Sequence, residues 1–369
     1  MNILMILSKE ILTDYRVYIE AKTLVNSGYN VTVIVWNRQK EYATEEVIDG
    51  IKIFRIYNSG LMKVLPSDLF RNPLWWRRAY KKALELYENG NKFEVVHCHD
   101  LDTLQIGVWL KRRLKVKLIY DIHDLFFLYR SVKNFRQLVV SFEKKLIKVV
   151  DFIITVNERV MEFYRSLTDR PIGIIMNCKN LVSKEYIRTQ NKTFTVAYIG
   201  VLSKERFFPE LVDIVGSIGG TKFLIAGKKE NIWKEVMERC RQYKNVEYLG
   251  TISSTDVIPL TSKADCVIGV CNPTDPGTKF MLMNKQFEAM VCGRPIIVAK
   301  GTYAAEITEK LKCGLAVEYN EKAIREAIVK LRDNPELCEE LGKNALKAAM
   351  ERYNWENEKK KLLKIYESL

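Results

Sequence analysis

Short apolar runs alternate with longer segments of helical period from one end of the chain to the other. Residues 2–7 and 31–36 are runs of strand length with little polar interruption, the pattern of strands buried on both faces of a parallel sheet. Residues 15–26 between them have helical spacing and stop at Ser27-Gly28. A strand–helix–strand unit with a connection of this length closes as a parallel crossover, so a parallel, doubly wound sheet is predicted. Residues 50–56, 93–99, 117–120, 152–156 and 172–176 read as further strands of this first sheet, with a basic helix over 142–149. Residues 179–192 are polar and mixed. Residues 194–200 open a second series, with strands at 223–227, 246–250, 264–270 and 295–299 and helices at 233–243, 257–262, 284–292, 323–331 and 335–351. The predicted organisation is a first domain over 1–185, a second over 186–352, and a last helix over 353–369 that crosses back to the first.

Composition adds bounds to this picture. The 369 residues suit two domains, and no apolar run approaches the roughly 18 residues of a membrane span. Of the eight cysteines none forms a C-x-x-C pair, and Cys98, Cys266 and Cys271 lie inside apolar runs, as reduced buried thiols do; a cytoplasmic protein is expected. The net charge of +14 calls for an anionic partner: nucleic acid, a membrane surface or a phosphorylated small molecule.

Three stretches carry candidate chemistry. The first is Asn284-Lys285-Gln286-Phe287-Glu288, a short helix following the loop 272–283 and closed by Gly293. In a parallel sheet, ligands sit outside the carboxyl ends of strands and at helix N-termini. Lys285 and the loop amides could hold a diphosphate there. Glu288, one turn in, reads either as an acceptor for two sugar hydroxyls or as a solvated helix residue. The second stretch holds the three histidines. His97 and His99 are read as facing opposite sides of their strand, so that one alone serves a site, and His99, nearer the loop, is preferred. His123, just past the end of the next strand, either points into a crevice or is structural. Asp100-Leu101-Asp102 is read as a helix N-cap, not a metal-binding D-x-D. The third stretch is 69–87. Leu69, Phe70, Leu74, Trp75, Trp76 and Tyr80 interleave there with Arg71, Arg77, Arg78, Lys81 and Lys82. It reads either as a core-facing helix with a wet basic face or as a membrane-surface helix whose two tryptophans are exposed.

Lys285-x-Phe287-Glu288-Ala289-Met290-x-x-Gly293-x-Pro295, followed by Glu306, resembles the donor-site signature of retaining glycosyltransferases of family 4, nucleotide-sugar enzymes with the GT-B fold. In that family two glutamates usually stand eight positions apart. Glu288 matches the second, and Phe280 stands at the first. Lys285, three residues before Glu288, matches a subgroup with Lys-x-Phe-Glu in place of the pair. Asp14-x-Arg16-Val17 with Glu20-Ala21, the run from Val95 through His97, His99 and Asp100 to Leu104, and Tyr120-Asp121-x-His123-Asp124-Leu125 also resemble family segments. So does the loop from Gly200 to Arg206, which resembles the donor-phosphate loop, with Val201 at its first basic position.

The resemblance implies an α/β, GT-B architecture of two doubly wound, Rossmann-like domains facing a cleft. The nucleotide sugar would lie on the second domain, bound by Gly200, Lys204, Arg206, Asn284, Lys285 and Glu288. The acceptor would lie on the first, near Asp14, Arg16, His99 and His123. The implied catalytic residues are His123, Arg206 and Lys285, in a hexosyl transfer with retention that uses neither a metal nor a cofactor besides the nucleotide sugar. The basic aromatic stretch points to a lipid-linked acceptor or cell-surface glycan precursor, taken at the inner face of a membrane by a peripheral enzyme. The alternatives are a sugar-nucleotide epimerase of GT-B architecture and, from another class, a basic nucleic-acid-binding protein; nucleic acid is not the expected partner, because the aromatics fall on helices.

Overall fold

The apolar run at the start of the chain is buried throughout from Ile3 to Leu7 and forms strand β1 (Asn2–Leu7) at the middle of an eight-stranded sheet. A computed structural model describes residues 1–38, 42–228 and 232–369, without the side chains of Leu69, Arg130 and Ser131. The other strands of this sheet are β2 (Asn30–Asn37), β3 (Glu45–Ile48), β4 (Ile51–Tyr57), β5 (Val95–His99), β6 (Lys117–Ile122), β7 (Phe152–Thr155) and β8 (Ile172–Ile174). Their order is β3-β4-β2-β1-β5-β6-β7-β8, and all pairs are parallel except β3 with β4. The chain winds outward from β1 to β4, then returns to β5 on the other flank of β1. The strand order therefore reverses between β1 and β5, where a doubly wound sheet opens a crevice at its carboxyl edge.

A second sheet repeats the design. It comprises β9 (Phe194–Ile199), β10 (Thr221–Ala226), β11 (Val246–Tyr248), β12 (Cys266–Gly269), β13 (Ile296–Ala299) and β14 (Gly314–Val317), ordered β11-β10-β9-β12-β13-β14 and wholly parallel. The reversal here lies between β9 and β12. A Cβ on Gly227, just past β10, would meet the Gly200 carbonyl oxygen at 2.1 Å, so the two chains leave the sheet together only because that residue has no side chain. Phe208, Phe223, Val212 and Ile328 fill the core on one side of the sheet.

The chain divides into two compact units, Met1–Met176 with Lys359–Leu369, and Asn177–Glu358. The last helix, Trp355–Glu367, thus ends as part of the first unit. Its Tyr366 hydroxyl lies 2.7 Å from His97 Nδ1, and a side chain at Gly173 would crowd Ile365. All eight cysteines are free, and all but Cys338 are buried.

The helix Asp68–Glu88 corrects the expectation of two exposed tryptophans. Trp75 is fully buried and stacks on Trp36 at 5.4 Å. Trp76 stacks on Phe142, and its indole N–H donates to the Asp102 carbonyl. An aromatic so large gains more by joining the core than by wetting, and the helical period puts it there. Several bases are also engaged: Arg71 with Asp68, Arg78 with Ser59, Lys82 with Glu45 and Glu85. Phe70 remains 57% exposed; the Leu69 side chain lies outside the described residues. Trp75→Ala should therefore lower unfolding stability in urea by about 3–5 kcal/mol. Phe70→Ala should stay within about 0.5 kcal/mol. Comparable losses from both would contradict this placement.

Candidate active site

The carboxyl ends of β1, β5 and β6 converge on a buried polar cluster in the first unit. Helix Tyr15–Asn26 follows β1, capped by Asp14, whose carboxylate accepts from Val17 N–H and pairs with Lys9 at 2.7 Å. Burial acts to raise the Asp14 pKa, but Lys9, His123 and the capping bond outweigh it and bring it to about 2. Two residues on, Arg16 reaches Asp121 on β6. Its Nη2 donates at 2.8 Å to Oδ1 and 3.0 Å to Oδ2, and its Nη1 donates at 2.6 Å to the Ile175 carbonyl. Asp121 is fully buried; burial disfavours its charge, yet Arg16 and His123 hold its carboxyl well below the usual range.

His97 and His99 share one face of β5, stacked with ring centroids 4.2 Å apart, not opposite faces as expected. The strand period is two, so positions i and i+2 face the same way. His99 is fully buried, and its Nδ1 lies 3.2 Å from His123 Nε2. Burial and the neighbouring His97 lower its pKa to about 3, so it is neutral. His123 has slight exposure, and its Nε2 lies 3.1 Å from Asp121 Oδ2. Burial acts to lower its pKa, but Asp121 and Asp100 raise it to about 9, so it is a cation and a hydrogen-bond donor at neutral pH. Asp100 precedes the helix Leu101–Leu114 but does not cap it through its side chain, contrary to expectation. Its Oδ1 accepts instead from the backbone amides of His123 and Asp124 at 3.0 and 3.2 Å. That fixes the loop after β6, and Asp100 takes a positive φ of 67° to do so. Acceptor-side candidates Asp14, Arg16, His99 and His123 are thus one connected group. Asp121 and Glu20 belong to it as well. Burial raises the Glu20 pKa to about 8, with Arg16 opposing.

Glu20, His97, His99 and Asp121 bring ligand-type atoms within 4.8 Å of one another. Arg16 already supplies the positive charge, donating to both oxygens of Asp121 and lying 3.2 Å from Glu20. The arrangement is that of a buried ion-pair network.

In the second unit the carboxyl ends of β9 and β12 frame a different group. Gly200 follows β9 with φ +147°, and a Cβ there would sit 3.4 Å from Lys285 Nζ. Lys285 opens helix Asn284–Val291, is buried, and sets its ammonium 3.5 Å from the centroid of the Tyr198 ring. Burial and then Arg206 lower its pKa to about 7. Arg206 ends the short turn Lys204–Arg206. Among the described residues its side-chain hydrogen-bond partners are sulfur atoms: Cys271 Sγ, Met283 Sδ at 3.2 Å and Met281 Sδ at 3.7 Å. Sulfur is a weak acceptor, so the guanidinium keeps most of its capacity for an anion.

Glu288 is buried, which excludes the solvated-helix reading. Burial raises its pKa, with Lys179 and Lys285 opposing; Lys179 Nζ lies 3.7 Å from Oε1. Lys179 falls in the polar stretch after the first sheet, and nothing in the local pattern marks it. Gly200, Arg206, Lys285 and Glu288 are therefore brought together. Lys204 and Asn284 are exposed at the margin, and half-buried Phe280 ends the turn Pro276–Lys279 where the family pattern has a glutamate.

Comparison with known proteins accords with both halves. The family model Glycosyltransferase Family 4 matches residues 15–180, and Glycosyl transferases group 1 matches residues 193–334. Two uncharacterised glycosyltransferases of Methanocaldococcus jannaschii are 21% identical over 94% of this chain and 91% of theirs, and 24% identical over 81% and 82%. Among solved structures, sucrose-phosphate synthase of Thermosynechococcus elongatus superposes with TM-score 0.76 at 17% identity, covering 100% of this chain and 98% of that one. Anabaena HepE in complex with UDP-glucose superposes with TM-score 0.73 at 15% identity over 100% of both chains. With one glycosyltransferase domain matched in each half and two parallel-sheet α/β units, the protein is a glycosyltransferase of the GT-B fold.

Proposed function

We propose that the chain transfers a sugar from a nucleoside diphosphate sugar with retention at the anomeric carbon, and that protein cations, not a metal, neutralise the diphosphate. The observation that carries this reading is the pairing of Arg206 with Lys285 beside the Gly200 loop. Two cations lie close enough for Arg206 to depress the Lys285 pKa, and neither has a carboxylate ion-pair partner among the described residues. Like charges held together in a buried site favour an anion with more than one charge. The related fold of HepE, solved with UDP and with UDP-glucose, supports a diphosphate there. The two glycosyltransferase domain matches weigh against the epimerase reading.

As the bond from anomeric carbon to phosphate oxygen breaks, negative charge grows on the diphosphate. Arg206 and Lys285 face that charge from fixed positions and lower the barrier. The departing phosphate oxygen takes the acceptor proton, so no carboxylate nucleophile is required. Glu288 accepts hydrogen bonds from the donor's ribose hydroxyls, with Lys179 beside it opposing the upward pull of burial on its pKa. His123, a cation, donates to the acceptor or the transferred sugar. The acceptor is lipid-linked in this reading, brought to the first unit by its basic outer face.

The nucleoside diphosphate to use is the one that most raises the melting temperature in a panel of four bases. Arg206→Ala should lower turnover by about a hundredfold or more, with the fold intact by circular dichroism. Turnover within a few-fold of wild type would remove Arg206 from the reaction. Glu288→Gln should weaken nucleoside diphosphate binding by roughly 1–3 kcal/mol in calorimetry. Unchanged affinity would end the ribose assignment.

Lys285 gives a pH signature. Free Lys285 is charged below about pH 7 and loses its proton above it, and a bound diphosphate favours the charged form. Affinity should thus be greatest below about pH 7 and fall by up to about tenfold per unit above it. Lys285→Arg should flatten the profile. A wild-type affinity that stays level from roughly pH 6 to pH 9 would contradict the depressed pKa.

A further inference from the structure

On the outer side of the first unit, helices Asp68–Glu88 and Leu101–Leu114 flank a shallow, open groove of about 520 Å³ lined by Arg77, Tyr80, Trp109, Arg112 and Arg113. Tyr80 and Trp109, edge to face at 5.7 Å, line it together with the three arginines. Neighbouring bases on the same helices have acidic partners: Arg71 pairs with Asp68, Lys82 with Glu85, Lys111 with Asp151. Among the described residues Arg77, Arg112 and Arg113 have none. Three cations beside one aromatic pair, without counter-charge, leave a place for an anionic group.

The groove is separate from the histidine cluster. Helix Leu101–Leu114 starts at the carboxyl end of β5, beside His99, and Trp109 lies eight residues along it, about 12 Å away at 1.5 Å per residue. We infer that this groove seats the phosphate headgroup of an anionic phospholipid and docks the enzyme on a membrane surface. A soluble phosphate compound would need only the arginines. Phe70 decides for a lipid. It precedes Arg77 by two helical turns on the same helix face and is 57% exposed, so it can enter the acyl boundary while Arg77 meets a phosphate. The inference does not depend on the donor assignments.

The test is co-sedimentation of the full chain with phosphatidylcholine vesicles, with and without phosphatidylglycerol. Wild type should bind the anionic vesicles at low salt and release from them as salt rises, and should bind the neutral ones weakly. The triple change Arg77→Glu, Arg112→Glu, Arg113→Glu should lower partition by roughly a hundredfold, since each basic residue near such a surface contributes about fivefold. All three side chains are exposed, so the melting temperature should not move. Phe70→Ser should weaken binding by a factor that salt does not change. Reversing Lys322, Lys343 and Lys347 of the second unit should leave binding as it was; an equal loss would assign it to net charge and overturn the groove. Failure of wild type to bind anionic vesicles would overturn the inference. So would calorimetric binding of inorganic phosphate, lost in the triple variant, without vesicle binding.

Discussion

The Arg16–Asp121 pair is the contact around which the first unit's site is arranged. Both residues are buried, and a buried ion pair is tolerable only when its remaining hydrogen-bonding capacity is used. Arg16 spends its donors on both oxygens of Asp121 and on the Ile175 carbonyl, which joins the first helix to β6 and to the chain leaving β8. Asp121 in turn holds His123 in its charged form, and His123 meets His99. Removing either partner would leave an uncompensated charge in the sheet's carboxyl edge, which costs more than the pair contributes. Of Arg16, Asp121, His99 and His123, only His123 is more than marginally exposed.

The second unit solves the opposite problem. There two cations, half-buried Arg206 and buried Lys285, lie together without a carboxylate ion-pair partner among the described residues, so the pair keeps capacity for a ligand. Arg206 rests on sulfurs, and Lys285 rests on the Tyr198 ring and gives up part of its affinity for a proton. Stability is lower for this arrangement than for a neutral one. In the reading proposed above, a diphosphate bound here would find its counter-charges already oriented, which is what electrostatic preorganisation requires.

Helix Asp68–Glu88 shows why composition and position are different kinds of information. Its aromatic and basic residues form one block in the sequence. The helix distributes them around its circumference, sending Trp75 into the core against Trp36 and turning Arg77 outward into a groove completed by Arg112 and Arg113. The second helix of that groove begins some thirty residues later, so no local pattern could have assembled it.

The alternation of strand and helix patterns was enough to determine two doubly wound parallel sheets, because hydrophobic period and crossover length are local properties that sterics and handedness convert into topology. Motif spacing placed Asp14, Arg16, His123, Gly200, Arg206, Lys285 and Glu288 near strand ends for the same reason. The tertiary structure decided what those side chains experience. Asp121 as partner of Arg16, Lys179 as partner of Glu288 and the sulfur bed of Arg206 each arise from residues far apart in the chain. Burial and proximity set those energies, and both are sums over the folded neighbourhood, which the linear order of residues does not contain.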